Sequence, residues 1–303
     1  MKKLFCFVIF ILMLSACQKP ETIKVIVPFG STQMSQHLME KDTSAYRVDV
    51  IQGADPLIAA FGSRSHDVIF APLTLGAKMY ETKPEYQLLA TVIWGNFYFV
   101  TARQDILNFE DLDGKSVVLF GRNQTADIIV NYLFSELDLN VSITYVDSLS
   151  SATAEFSLDP QKIVLVAEPN HSMLKLTHLN LKSLSIQEAY FELTGINRIP
   201  QAGVFVKETL SQNLKIKIAQ DLKASIEALY ENPEQSLAYM IDRNPSFNLN
   251  AAILSLSDQH IMFTQGLDSK DEITFYFSLI LANQPLQIGQ RLPTDDFYLK
   301  VLS

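Results

Sequence analysis

Cysteine is almost missing from this 303-residue chain, which carries only Cys6 and Cys17. Both lie in an N-terminal stretch that reads as a cleavable leader ending at Cys17. Beyond Cys17 the chain has no thiol for a disulfide, a nucleophile or a zinc–thiolate cluster. Glycine (11) and proline (12) are scarce, which excludes fibrous and low-complexity readings. The five histidines, His37, His66, His171, His178 and His260, lack short ligand spacing, so neither a metal nor a cofactor is expected. Nucleophile elbows, phosphate-binding loops and H-E-x-x-H are absent. Basic residues are in the minority: the formal charge is −9, and loss of Lys2 and Lys3 with the leader would take it to −11. That balance argues against nucleic acid and against a polybasic membrane footprint. It leaves an anionic ligand open, because backbone dipoles act locally. After the leader, no apolar run reaches the ~18 residues of a spanning helix.

The leader itself is informative. Lys2 and Lys3 are followed by an apolar run from Leu4 to Leu14, too short for a permanent span, and then by Leu14-Ser15-Ala16-Cys17. This segment resembles a bacterial lipoprotein signal, which implies acylation of Cys17 and cleavage before it. Residues 1–17 are thus expected to be signal, and Gln18–Thr22 a short polar tether. Two or more acyl chains would anchor the protein stably.

Beyond residue 22, apolar β-branched runs alternate with segments of helical period. Strands are expected at Ile23–Val27, Arg47–Ile51 and Asp67–Phe70, with helices at Met34–Glu40 and Pro56–Phe61 between them. A second trio comes at Lys115–Phe120, Ser142–Val146 and Ile163–Val166, with helices at Thr125–Leu137 and Ser148–Phe156. Such alternation implies βαβ crossovers and parallel sheets. Between the trios lies the aromatic stretch Tyr86–Ala102, broken by the turn-forming pair Gly95-Asn96. After another strand at Pro200–Lys207 the chain reads as helical: 214–230, 233–242, 249–256, 271–281 and 294–301, with Thr294 as the last N-cap. Asn232-Pro233 and Asn244-Pro245 mark boundaries.

The fold class that accommodates this is α/β: two α/β lobes around a central ligand cleft, joined by two crossover strands. Residues 23–97 and 204–303 form lobe 1 and 98–203 lobe 2. Ligands of open α/β sheets bind outside the carboxyl ends of the strands.

Several fragments carry a family resemblance. They are Ile51-Gln52-Gly53-Ala54-Asp55, Asp67-Val68-Ile69-Phe70-Ala71-Pro72, Asp111-Leu112-Asp113-Gly114-Lys115, Ala167-Glu168-Pro169 and Tyr230-Glu231-Asn232-Pro233-Glu234. In this order, after a lipobox, they resemble the type 2 periplasmic binding proteins, in particular the sulfonate, nitrate and thiamine-pyrimidine group. The resemblance implies a monomeric, non-enzymatic substrate-binding lipoprotein of an ABC importer. It would sit on the extracytoplasmic face of a membrane, capture a small organic solute by hinge closure, and hand it to permease and ATPase subunits. Sulfonates and pyrimidine or thiamine precursors are the solutes it suggests. Two other readings stay open: an enzyme of pyrimidine-synthase or lyase type on the same fold, and a solute-sensing lipoprotein without a permease.

Strand ends give the candidate ligand residues. Ser31, Thr32 and Gln33 open a helix after the first strand, where free N–H groups suit an anionic or carbonyl-bearing ligand; a plain N-cap is the alternative. Arg122, Asn123, Gln124 and Thr125 take the matching place in lobe 2, and Arg122 offers a donor fork for carboxylate, sulfonate or phosphate. Its rival role is an ion pair with Asp127 or Glu155. Thr74 can cap the next helix or touch ligand. Trp94, beside Asn96, is either core or a stacking wall. Glu168, ending a buried strand, either pairs within the protein or accepts from ligand N–H groups.

Overall fold

The computed structural model describes residues 22–243 and 247–303, and no helix among them is long and apolar enough to cross a membrane. The leader, Cys17, the tether residues Gln18 to Glu21 and the Asn244-Pro245 boundary lie outside the described residues.

Lobe 1 starts with β1 (Ile23–Pro28), α1 (Ser31–Ser35), α2 (His37–Lys41), β2 (Tyr46–Ile51), α3 (Asp55–Ser63), β3 (Val68–Pro72), α4 (Leu73–Thr82) and β4 (Tyr86–Ile93). The chain then enters lobe 2: β5 (Phe97–Thr101), β6 (Ser116–Phe120), α5 (Thr125–Glu136), β7 (Ser142–Val146), α6 (Leu149–Leu158), β8 (Ile163–Ala167), α7 (Asn170–Thr177), β9 (Lys182–Ser185) and α8 (Ile186–Thr194). It returns to lobe 1 as β10 (Ala202–Lys207), α9 (Gln212–Glu231), α10 (Pro233–Leu237), α11 (Tyr239–Arg243), α12 (Leu249–Ser255), β11 (Ile261–Gln265) and α13 (Lys270–Asn283).

Two separate sheets result, in the orders β11-β4-β10-β3-β1-β2 and β7-β6-β8-β5-β9. Each expected trio is parallel: β1 pairs with β2 and β3, and β6 with β7 and β8. Parallel strands need helices on both faces, and their sequences show it. In β8, Ile163, Leu165 and Ala167 face one core while Val164 and Val166 face another. In β10, Phe205 joins the first of these cores and Val204 and Val206 pack under α9 to α12.

Gly95-Asn96 does not close a hairpin. β4 and β5 belong to different sheets, so the pair is the first link between lobes. Pairing puts Phe97 opposite Ala167 in the second sheet, and Ala202 and Gly203 in the first, where the sequence reading draws its limits at 97/98 and 203/204. The two links run side by side, for Gln201 N–H donates to Ile93 O at 2.9 Å.

Four sequence expectations change. The single helix expected at Met34–Glu40 is two, α1 and α2, parted at Gln36. Residues 261–265 form β11 antiparallel to β4 rather than part of a helical run; His260, at φ 47°, turns the chain into it. The segment 233–242 splits into α10 and α11. Residues 294–301 make one 3-10 turn, Asp295–Phe297, and then run extended, with Tyr298 bridging to Leu88. Burying Phe297 and Tyr298 against the sheet outweighs the local helix signal of Thr294 and its aspartates. Strand β9 and helices α7 and α8 have no counterpart among the sequence expectations.

Candidate functional site

The carboxyl ends of β1, β3, β6 and β8 open onto one cavity of about 440 Å³ between the lobes. This is within the range of small-molecule sites. Lobe 1 contributes Pro28, Phe29, Gly30, Ser31, Thr32 and the Gln52-Gly53 turn. Gly30, at φ 109°, provides the sharp exit from β1 into α1. Lobe 2 contributes Phe120, Gln124, Thr125, Ser148, Ser150 and the Ala167-to-Asn170 segment. The links themselves supply Asn96 and Gln201, and Phe97 adds the first residue of β5.

Asn96 holds the floor together. Its Nδ2 donates to Ser31 Oγ at 3.1 Å, and Ser31 Oγ donates to the Glu168 carbonyl at 3.3 Å. Its own carbonyl accepts from Glu168 N–H at 3.0 Å. One residue, through its side chain and its backbone, thus joins α1 of lobe 1 to the end of β8 in lobe 2. Asn96 Oδ1, in a residue only 3% exposed, has no hydrogen-bond partner, and neither has Gln201 Oε1.

Glu168 lines the cavity, yet its carboxylate is spent inside lobe 2. It accepts from Ser172 N–H at 3.0 Å, from Ser172 Oγ at 3.1 Å, and meets His171 Nδ1 at 2.8 Å. Of the two roles left open by the sequence, the structure shows internal pairing, with a histidine and a serine rather than a lysine or arginine. His171 Nε2 meets Ser183 Oγ at 2.8 Å, and the ring stacks on Tyr98 at 3.9 Å. Burial, with Asp258 and Glu168 nearby, pushes the Tyr98 hydroxyl well above its usual range, so it stays neutral. Glu168, His171 and Asp258 bring ligand atoms within 4.8 Å of one another, but both ring nitrogens of His171 are already engaged.

The expected residues divide. Ser31, Thr32, Asn96, Gln124, Thr125 and Glu168 line the cavity. Gln33, Thr74, Trp94, Arg122 and Asn123 do not. Gln33 turns into lobe 1, where its Nε2 donates to Glu40 at 2.9 Å. Thr74 is buried in the first turn of α4, because the helix starts directly after Pro72. Trp94 is fully buried; its Nε1 donates to Met262 O at 3.3 Å and Arg198 lies over its ring at 4.2 Å.

Arg122 is exposed, with its guanidinium 4.9 Å from the Tyr145 ring centre, and neither Asp127 nor Glu155 is its partner. Asp127 instead accepts from Asn123 N–H (2.7 Å), Asn131 Nδ2 (2.6 Å) and Tyr145 OH (2.7 Å), and Glu155 pairs with Lys162. Gly121 and Asn123, both at positive φ, wind the β6–α5 loop so that Arg122 leaves the cleft. Sequence reasoning misses Phe29, Phe97, Phe120, Ser148, Ser150 and Gln201. The strand-end rule that selects Arg122 would also find Ser148 and Ser150 after β7.

The sequence matches no protein-family model, and no curated protein matches it. Solved structures do. One described as an ABC transporter from Parabacteroides distasonis superposes with a TM-score of 0.79 at 20% identity, covering 92% of this chain and 99% of its own. The periplasmic aliphatic sulphonate binding protein of Escherichia coli gives 0.68 at 14%, covering 91% and 92%. The ligand binding component of an ABC-type import system from Staphylococcus aureus, with zinc bound, gives 0.67 at 14%, covering 91% and 96%. Such identities speak for architecture alone. The chain has the type 2 periplasmic binding protein fold, two α/β lobes around a central cleft.

Proposed function

We propose that this protein is the solute receptor of an ABC importer, monomeric and tethered by acylated Cys17 to the extracytoplasmic face of a membrane. One observation carries the reading: a 440 Å³ cavity lies where the strands of both sheets end, with orphaned buried acceptors at its floor. Sulfonates and pyrimidine-type solutes are the chemistries that the sequence resemblance supplies, and the E. coli neighbour is named for sulphonates. The solute docks on one lobe, and hinge motion at 94–96 and 195–201 closes the other over it. Closure requires tighter binding to the closed state than to the open one. The permease then reads the closed form.

Thermal shift of the full-length chain in detergent, screened against small solutes, tests the receptor. A true solute at 100 times its Kd adds about 2.7 kcal/mol to stability. No stabilisation by any solute removes the proposal. Acylation is tested separately by mass spectrometry of the N-terminus, where Cys17→Ser abolishes the added lipid mass.

A further inference from the structure

We infer that the solute is uncharged and presents N–H or O–H donors along one edge and an apolar face along another. This rests on the receptor reading and narrows it. Among the described residues, no lysine, arginine, histidine or aspartate lines the cavity. Its one ionisable side chain is Glu168, whose carboxylate is already held by Ser172 and His171.

Helix N-termini do converge here, and on their own they would favour an anion. Each of the longer ones has a partner from the chain itself, within its first turn at α6 and α7 and just ahead of the helix at α5. At α7 the first-turn N–H of Ser172 goes to Glu168. At α5, Asp127 is 2% exposed within the first turn and accepts Asn123 N–H at 2.7 Å. At α6, Ser148 Oγ accepts Ser151 N–H at 3.1 Å. An anionic solute would therefore be enclosed beside the buried Glu168, with a second buried carboxylate, Asp127, one residue beyond the lining Ala126 and no cation on the wall. The nearest cation in sequence, Arg122, stands outside over Tyr145. Burying an unpaired charge costs far more than burying a hydrogen-bonded neutral group.

Positive features agree. Asn96 Oδ1 and Gln201 Oε1, both in lining residues, are covered acceptors without donors, and an N–H or O–H of the solute that reaches them as the lobes close would satisfy them. Phe97 and Phe120, in edge contact at 6.2 Å, give an apolar wall, with Phe29 across from lobe 1.

The test compares frame-matched pairs on the full-length protein by thermal shift and calorimetry: nicotinamide with nicotinate, uridine with uridine monophosphate, and alkanesulfonamides with alkanesulfonates. Binding is expected for uncharged members, at least about tenfold tighter than for their charged partners. Their affinity should not change between low and high salt. Equal binding within pairs, or binding confined to anions, overturns the inference and leaves the receptor reading standing. No binding by any member, or by a broader solute screen, overturns the receptor reading and the inference with it. In Asp127→Asn, and separately in Glu168→Gln, the neutral-over-anion ratio should fall at least about threefold, with the fold checked by circular dichroism. A ratio unchanged in both variants removes these carboxylates as the barrier to anions.

Discussion

Each lobe buries a histidine and a glutamate three residues apart, and the two settings are solved differently. In lobe 2, Glu168, His171, Ser172 and Ser183 form a closed set in which each ring nitrogen has a partner. In lobe 1, Glu40 Oε2 takes Gln33 (2.9 Å), Gln36 (3.2 Å) and Tyr239 (3.0 Å). There Glu40 Oε1 has only Arg243 at 3.8 Å, and Gln33 Oε1, Gln36 Oε1 and His37 Nε2 are left without hydrogen bonds. A satisfied network rigidifies its surroundings, whereas a partly satisfied one carries a cost. Lobe 2 places its closed set at the cavity wall, where position matters. Lobe 1 keeps its looser one behind α1.

The largest effect is expected from breaking the closed set. Glu168→Ala strands His171 and Ser172, and should lower unfolding free energy by about 3–5 kcal/mol in urea titrations. Glu40→Ala should cost less, about 1–3 kcal/mol, because its network is incomplete already. The reverse order would erase the contrast drawn between the lobes.

Acid should act on lobe 1 through His37. Burial, and then the charge of Lys41, push His37 down to about 4 from its ordinary 6.5. The unfolded chain then binds a proton that the native state refuses. Stability is complete above about pH 6.5 and falls by about 3 kcal/mol as pH drops towards 4. His37→Gln should flatten this part of the stability profile; an unchanged slope would show that another group is responsible.

Smaller effects concern the links. A side chain at Gly95, held at φ 90°, would collide with Gln187 Oε1, so Gly95→Ala should cost about 2 kcal/mol and disturb solute binding. Lys175 and Asp258 tie α7 to the segment before β11 at 3.5 Å, half exposed, and Lys175→Ala should cost under about 1 kcal/mol. Arg122→Ala should leave solute affinity within about twofold, since Arg122 lies outside the cavity lining, over a half-buried tyrosine. A large loss would return Arg122 to the cleft.

The lobes are legible because parallel strands buried on both faces, such as IKVIV and IVLVA, are written as continuous apolar runs. Gly95-Asn96 is legible as a break but not as the bridge between sheets, since nothing local distinguishes the two. IMFTQ passes for part of a helical stretch because its strand character comes from its neighbour β4. At the site, the rule of strand ends finds Ser31, Asn96 and Thr125. It does not see where side chains point: Gln33 turns inward, and Arg122 goes with the left-handed Asn123 out of the cleft. Trp94, one residue past β4, is core because β11 comes alongside it, with Trp94 N–H donating to His260 O and its Nε1 to Met262 O.

The side-by-side links have a consequence for assembly. Ile93 and Ala202 are paired neighbours, so lobe 2 is an insert in what would otherwise be a plain β-hairpin. All strands of that insert lie between Phe97 and Ser185, and it can complete its sheet from its own segment. Strand β4, by contrast, finds both of its partners, β10 and β11, more than a hundred residues further along the chain. A folded insert acts as the clasp that holds the ends of β4 and β10 side by side.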